Sequence, residues 1–378
     1  TRFAQVYTPA VVYAALALAL VPPLFTGFRF GVWIHRALNF LVVSCPCALV
    51  ISVPLAYFSG MGAVSRAGMI AKGGIALENL AKIDTVVFDK TGTLTTGDFR
   101  VVKVESDRSD LLELVAGAEK VSHHPIARAI VKAAGTAPEA EDVQEIPGHG
   151  IQAVVNGHTV FAGNARMLTA QGIAAPGVDG ATMVYAVVDG AYAGAIVLED
   201  TVKESAVDAL NELKKLGVKK LCMLTGDRPD AARMAADNLG LTEFRAGLLP
   251  QDKLTEVEKM IFSGEKVAFV GDGVNDAPVL SVADVGVAMG GVGSDAAVEA
   301  SDLVLLKDDL CGLPMALKIA RRTIAIAKQN IAFALVIKFG VMLLSIPGYA
   351  NMWMAVFADV GVAMLCILNA FRAMNHEV

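Results

Sequence analysis

The sequence predicts a multi-domain membrane protein, with α-helical transmembrane segments joined to an α/β body that an inserted α+β domain interrupts. Three observations predict it. Of 378 residues, 54% are hydrophobic and the mean hydropathy is +0.54, too apolar for an ordinary soluble chain. The longest apolar runs lie at the two ends. Between them, short β-branched runs alternate with helix-like stretches, the pattern of a parallel sheet covered by helices.

The first apolar run covers about residues 9–25, with Pro22-Pro23 near its end. About 20 residues are needed to cross ~30 Å of hydrocarbon, so this run is near the lower limit. A short turn follows at 27–31, then a longer run over about 32–64. His35 and Arg36 at its start are expected to snorkel to the interface. Arg66, Lys72 and Lys82 follow it, and basic flanks favour the cytoplasmic side. Two more runs, about 331–346 and 352–371, are separated by Pro347-Gly348 and read as a helical hairpin. Arg321, Arg322 and Lys328 precede them, so that end is also expected in the cytoplasm. The topology is two spans, a cytoplasmic body, then two spans.

In the body, strands are expected at 85–88, 182–188, 194–198, 220–224, 266–270 and 285–288. Helices are expected at 204–216, 230–239, 251–262 and 277–282. The segment 99–198, rich in Gly, Ala and short strands, breaks this alternation and reads as an insertion.

The net charge of −6 gives no electrostatic case for a nucleic-acid partner. The lipid bilayer is the partner that composition implies. The five cysteines, Cys45, Cys47, Cys222, Cys311 and Cys366, are too sparse for a disulfide framework. The chain starts at Thr1 and its first residues resemble no signal peptide, so an amino-terminal portion is expected to be missing.

Chemistry concentrates at three strand ends. The run Thr85-Val86-Val87-Phe88 ends in Asp89, then Lys90-Thr91-Gly92-Thr93-Leu94-Thr95. Leu224 leads into Thr225-Gly226-Asp227. Val270 leads into Gly271-Asp272-Gly273-Val274-Asn275-Asp276-Ala277-Pro278. Pro250-Gln251-Asp252-Lys253 puts a lysine at a helix start. A carboxylate can attack phosphorus. Two carboxylates can hold Mg²⁺, which prefers oxygen ligands. A hydroxyl and an ammonium can stabilise charge on phosphoryl oxygens. Any one of these motifs alone is usually a turn or a helix cap; together, each after a strand, they point to phosphoryl transfer.

These motifs resemble the phosphorylation domain of the P-type ATPases, which has the Rossmann-like fold of the haloacid-dehalogenase superfamily. The resemblance covers essentially the whole chain. It implies that ATP phosphorylates Asp89 and that Asp89, Asp272 and the Thr91 carbonyl hold Mg²⁺. Lys253 and Thr225 would contact the phosphoryl group, with Lys90, Gly226, Asp227 and Asn275 completing the catalytic set. Asp200-Thr201-Val202-Lys203 resembles the family's hinge. The implied domains are two transmembrane helices at 1–72, the phosphorylation domain at 73–98 and 199–320, a nucleotide-binding domain at 99–198, and two transmembrane helices at 321–378.

In the insertion, Glu119, Ser122-His123-His124-Pro125, Gly148-His149-Gly150 and Gly163-Asn164 stand out. Glycines admit a close ligand approach, and a glutamate and a histidine can face a purine. These residues resemble the nucleotide-binding domain of the heavy-metal branch. The resemblance assigns Glu119, His124, Gly148, Gly150, Gly163 and Asn164 to the ATP site. The family more often carries an acidic residue where His123 stands.

Within the second apolar run, Pro46 removes a backbone donor and is expected to open the helix between Cys45 and Cys47. Residues this close rarely pair as a disulfide, and two thiolates suit a soft or borderline cation. The Cys-Pro-Cys run resembles the signature of heavy-metal P-type ATPases. Lys338 and Asp359 lie at membrane depth, where ionisable groups are costly and functional by default. A structural Lys–Asp pair is the plain alternative. With Asn330 and Asp359-Val360-Gly361 they resemble the zinc, cadmium and lead branch, where the aspartate is a metal ligand and the lysine a counter-charge. Two sulfurs and a carboxylate suit Zn²⁺ or Cd²⁺ better than Cu⁺. Cys366, Met352, Met354 and Met364 could be read as copper ligands, but at this spacing they read as helix packing.

The expected function is ATP-driven export of Zn²⁺, Cd²⁺ or Pb²⁺ through an aspartyl phosphate, in a bacterial-type plasma membrane with the soluble domains cytoplasmic. The alternatives are a copper exporter, a membrane-tethered phosphatase of the haloacid-dehalogenase superfamily, and a non-transporting fragment. The family's actuator domain carries a Thr-Gly-Glu loop for dephosphorylation, and that triplet does not occur here. This chain alone is therefore expected to bind nucleotide without turning over metal.

Overall fold

The computed structural model describes residues 2–25, 27–45, 47–174, 182–227, 229–272, 276–290 and 295–374, leaving out the side chains of 2–6 and of Cys47. The chain divides into two compact units, Thr1–Lys82 with Met315–Val378, and Ile83–Pro314.

The first unit is helical. Four helical stretches are long and apolar enough to cross a membrane: Tyr7–Phe25, Phe30–Arg66, Gly312–Ser345 and Met352–Phe371. The second is not one continuous helix. It runs as Phe30–Val43, breaks at Ser44 and Cys45, and resumes as Cys47–Arg66. This is the opening expected of Pro46, which itself lies outside the described residues. The apolar run at 331–346 is the second half of a 34-residue helix, Gly312–Ser345. Hydropathy alone hides its first half, because charged residues such as Arg321 and Arg322 lower the average without breaking the helix. In the last span, Phe357–Gly361 forms a π-type turn between Met352–Val356 and Val362–Phe371. Asp359 stands on that turn.

The second unit contains two sheets. In the parallel one, counting strands from Thr85–Asp89 as first, the order is sixth, fifth, fourth, first, second, third. The strands are Leu303–Leu305, Val285–Met289, Val267–Gly271, Thr85–Asp89, Lys220–Leu224 and Glu243–Arg245. The order reverses between the first and fourth strands, and the crevice at the carboxyl ends of such strands is where open α/β sheets bind ligands. Thr85–Asp89 is buried along its whole length. Phe269 on the neighbouring strand is fully buried, a placement that stabilises by about 1.5–3 kcal/mol for a side chain of this kind. It packs with Val87, Leu224, Val257 and Val279.

The other sheet is antiparallel and six-stranded, in the order Thr95–Glu105, Ala191–Val202, Thr182–Val188, His158–Gly163, Gly150–Val155, Ala140–Ile146. Helices Leu111–Glu119 and Pro125–Ala134 cover it around Leu114, Ile130, Val155 and Val184. Thr95–Glu105 leaves the Asp89 loop and Ala191–Val202 returns beside it, so the insertion is carried on two paired strands.

Candidate functional site

Register brings the three strand-end motifs together. Asp89 lies level with Leu224, and Phe88 with Val270. Asp89, Thr225 and Asp272 therefore emerge from adjacent strand tips. The loop after Asp89 turns on Gly92, whose φ is +74°. A Cβ on Gly92 would stand 1.8 Å from Asp272 Oδ2, so this position needs glycine for both its conformation and its space.

Asp89 is 7% exposed. Lys253 Nζ donates to Asp89 Oδ1 at 2.6 Å and to Asp276 Oδ1 at 3.2 Å. Ligand atoms of Asp89, Asp272 and Asp276 all lie within 4.8 Å of one another. Burial, then the charge of Asp276, pushes the Asp89 carboxyl up to about 6 against the pull of Lys253. Burial lowers the Lys253 ammonium, but Asp89 and Asp276 more than reverse this and leave it raised. Burial and Asp276 also raise Asp272. Three clustered carboxylates with one lysine suit a hard divalent cation with oxygen ligands. Asp276 was assigned no role from sequence. Its place in the motif was visible, but a carboxylate before a short helix reads equally well as a cap.

Around this cluster, Thr225 is buried, and its Oγ1 accepts from Asp227 N at 3.1 Å. Gly226 passes close to Leu248 O, 3.2 Å from where a Cβ would stand. Asp227 pairs with Lys90. Thr91 is exposed at the loop's rim. Asn275 lies outside the described residues.

The hinge segment grips the same loop. Asp200 accepts from Thr95 Oγ1 at 2.6 Å and from Gly97 N at 3.1 Å. Lys203 is buried, donates from Nζ to Gly92 O at 2.6 Å and pairs with Asp308.

In the insertion, all six residues assigned to nucleotide line one cavity of about 350 Å³: Glu119, His124, Gly148, Gly150, Gly163 and Asn164. Burial, then the charge of Glu145, pushes Glu119 up to about 7. His124 caps its helix, with Nδ1 accepting from Ile126 N at 3.2 Å. Asn164 donates to Gly148 O at 3.0 Å and caps the next helix through Arg166 N at 2.9 Å. Two glycines serve a purpose other than ligand approach. Gly150 and Gly163 are paired across neighbouring strands. A Cβ on Gly150 would stand 2.1 Å from Ala162 O, and one on Gly163 2.0 Å from His149 O. They let the two strands close up beneath the cavity.

In the helical unit, Lys338 is 3% exposed. Its Nζ donates to Asp359 Oδ1 at 3.0 Å, to Val43 O at 3.3 Å and to Cys45 O. The two carbonyls belong to the helix break. Lys338 thus links Asp359 to the backbone carbonyl of Cys45. Cys45 is disulfide-bonded, against the expectation of free thiols. The side chain of Cys47 lies outside the described residues.

Residues 83–284 match the haloacid dehalogenase-like hydrolase family, as do 252–317. The chain is 48% identical over 387 residues to the cadmium, zinc and cobalt-transporting ATPase of Bacillus subtilis, covering 99% of this chain and 55% of that protein. It is 49% identical to the zinc-transporting ATPase of Synechocystis, covering 98% and 53%. The crystal structure of a zinc-transporting PIB-type ATPase in an E2.Pi state superimposes with a TM-score of 0.87 at 40% identity, over 99% of this chain and 63% of that one. The chain spans about half the length of the curated relatives it matches. With these likenesses and the carboxylate cluster at the strand tips, the chain belongs to the haloacid dehalogenase-like hydrolases and, within them, to the heavy-metal P-type ATPases.

Proposed function

We propose that the intact protein exports Zn²⁺, Cd²⁺ or Pb²⁺ from the cytoplasm, driven by ATP through an aspartyl phosphate on Asp89. One observation carries this reading: Asp89 is buried at a strand tip, clustered with Asp272 and Asp276 and bonded to Lys253. That arrangement supports in-line attack by a carboxylate held ionised despite its burial.

In this reading, residues 99–198 bind the nucleotide, and 73–98 with 199–320 accept the phosphate. The cavity at Glu119 and His124 holds the adenosine. An oxygen of Asp89 attacks the γ-phosphorus, and the bond to the β-phosphate oxygen breaks, leaving ADP with the electron pair. Lys253 offsets charge on the transferring group, and the Thr225 hydroxyl donates to one of its oxygens. Asp89, Asp272 and Asp276 would hold Mg²⁺, with the Thr91 carbonyl as a further ligand. Mg²⁺ supplies charge neutralisation on the phosphoryl oxygens. The cargo sits between Cys45, Cys47 and Asp359, with both sulfurs reduced, and Lys338 provides the counter-charge. Two sulfurs with a carboxylate favour zinc or cadmium over copper.

The test is radiolabelled ATP on the intact, reduced protein. Label should be acid-stable and hydroxylamine-sensitive, should depend on Zn²⁺, Cd²⁺ or Pb²⁺, and should vanish in Asp89→Asn. Label persisting in Asp89→Asn would overturn the phosphorylation site. Stimulation by Cu⁺ alone would overturn the cation assignment.

A further inference from the structure

A second polar layer crosses the helical unit, away from the Cys45–Lys338–Asp359 layer. From Cys45 to Ser52, from Lys338 to Asn330, and from Asp359 to Cys366 are steps of seven, eight and seven residues. The last two are each about two helical turns, or ~11 Å. All three steps lead towards the chain ends marked by Arg66, Arg321 and Arg372, the side expected to be cytoplasmic.

The four polar residues of this layer do not merely satisfy one another. Asn330 is fully employed: its Nδ2 donates to Cys366 O at 2.9 Å, and its Oδ1 accepts from Asn369 Nδ2 at 2.8 Å. This clasp fixes the backbone around Cys366. The Cys366 thiol is 1% exposed and free, and it points to Asn330 O at 3.8 Å. Facing the thiol is the hydroxyl of Ser52. Ser52 is fully buried, and its Oγ has no hydrogen-bond partner. A buried hydroxyl without a partner is costly, so the fold tolerates an unmet polar demand beside a thiol. Cys366 packs with Ala48, the residue after Cys47, so this place adjoins the first layer.

We infer that Cys366 Sγ and Ser52 Oγ, with the Asn330 carbonyl, form a second cation subsite on the cytoplasmic side of the Cys45–Asp359 layer. It takes a soft or borderline divalent cation, because one donor is a thiolate and the others are neutral oxygens. Binding breaks the S–H bond, forms one sulfur–metal bond and releases the proton. A single thiolate makes it the weaker of the two sites, as suits a cation that must move on. Its role as a way-station rests on the proposed cargo site; the binding itself does not.

The test is Cd²⁺ titration of the reduced 378-residue chain in detergent, reading the ultraviolet sulfur-to-cadmium charge-transfer band. Cys45→Ser/Cys47→Ser should retain part of the band, and adding Cys366→Ser should remove that part. Ser52→Ala in the double-serine background should weaken the residual site about tenfold, the scale of losing one polar partner of a bound cation. A double-serine chain whose band equals that of the triple variant would overturn the inference, as would a residual affinity indifferent to Ser52→Ala. Asp359→Ala separates the two readings. It should weaken Cd²⁺ binding in the wild-type background and leave the residual band unchanged in the double-serine one. A wild-type affinity indifferent to Asp359→Ala would count against the cargo site alone.

Discussion

Lys253 Nζ stands 2.6 Å from Asp89 Oδ1, and both side chains are almost fully enclosed. The lysine also reaches Asp276 at 3.2 Å. One ammonium thus answers two buried carboxylates. Its removal leaves them uncompensated, which costs about 3–5 kcal/mol for a buried pair.

Lys253→Ala should therefore slow phosphorylation of Asp89 by about 10²–10³-fold, the scale of losing one donor to a developing charge. Lys253→Arg should restore part of it. Rapid-quench labelling with radioactive ATP measures the rate. Equal rates for wild type and Lys253→Ala would refute a role in transfer.

Gly92→Ala should abolish phosphorylation while leaving nucleotide affinity within twofold of wild type. The new Cβ would land 1.8 Å from Asp272 Oδ2, whereas the nucleotide cavity lies in the other sheet. Calorimetric titration with a non-hydrolysable ATP analogue, beside the labelling assay, separates the two effects. If affinity falls together with labelling, the substitution has unfolded the unit instead of disabling one site.

Nucleotide affinity should rise with pH through about 7. Burial and Glu145 raise Glu119 to that value; below it the carboxyl is protonated and is only a neutral, weaker acceptor towards the adenine amino group. The folded value lies above the ordinary one, so the stability linkage has the opposite sign. Protonated Glu119 suits its buried place, and the fold loses stability as pH rises through 7. Glu145, His124 and His149 line the same cavity, so the wild-type profile alone is insufficient. Glu119→Gln keeps an acceptor and should flatten the transition. A profile unchanged by that variant would assign it to the histidines or to Glu145.

In the membrane, Asp359→Ala should abolish metal-dependent phosphorylation in the intact protein. Metal-independent labelling by inorganic phosphate should survive, since the Asp89 cluster is untouched. Retained metal dependence would make Asp359–Lys338 a structural pair only.

Most strands of the parallel sheet were legible because they are short, apolar and largely buried. Lys220–Leu224 there, and Thr182–Val188 in the antiparallel sheet, match the expected residues at both ends. Thr95–Glu105 was harder to see: it is half-exposed and polar, and its first residues had been claimed by the loop. The chemistry at Asp89, Asp272 and Lys253 was readable because each followed a recognisable strand or opened a helix. Asp276 and Ser52 were not. Their significance depends on a cross-chain neighbour, Lys253 in one case and Cys366 in the other, which no local pattern encodes. The glycines assigned to nucleotide line one cavity, but Gly150 and Gly163 answer to strand packing.

Asp200 and Lys203 have a mechanical consequence. Three residues apart on the returning strand, they hold the Asp89 loop from opposite ends, one accepting from Thr95 and Gly97, the other donating to Gly92. The joint to the inserted domain is thus not a slack tether. Any swing of that domain would pull on both anchors at once and load the peptide units nearest Asp89. In the proposed cycle, nucleotide occupancy at one sheet would then be felt as tension at the other without a ligand spanning the gap.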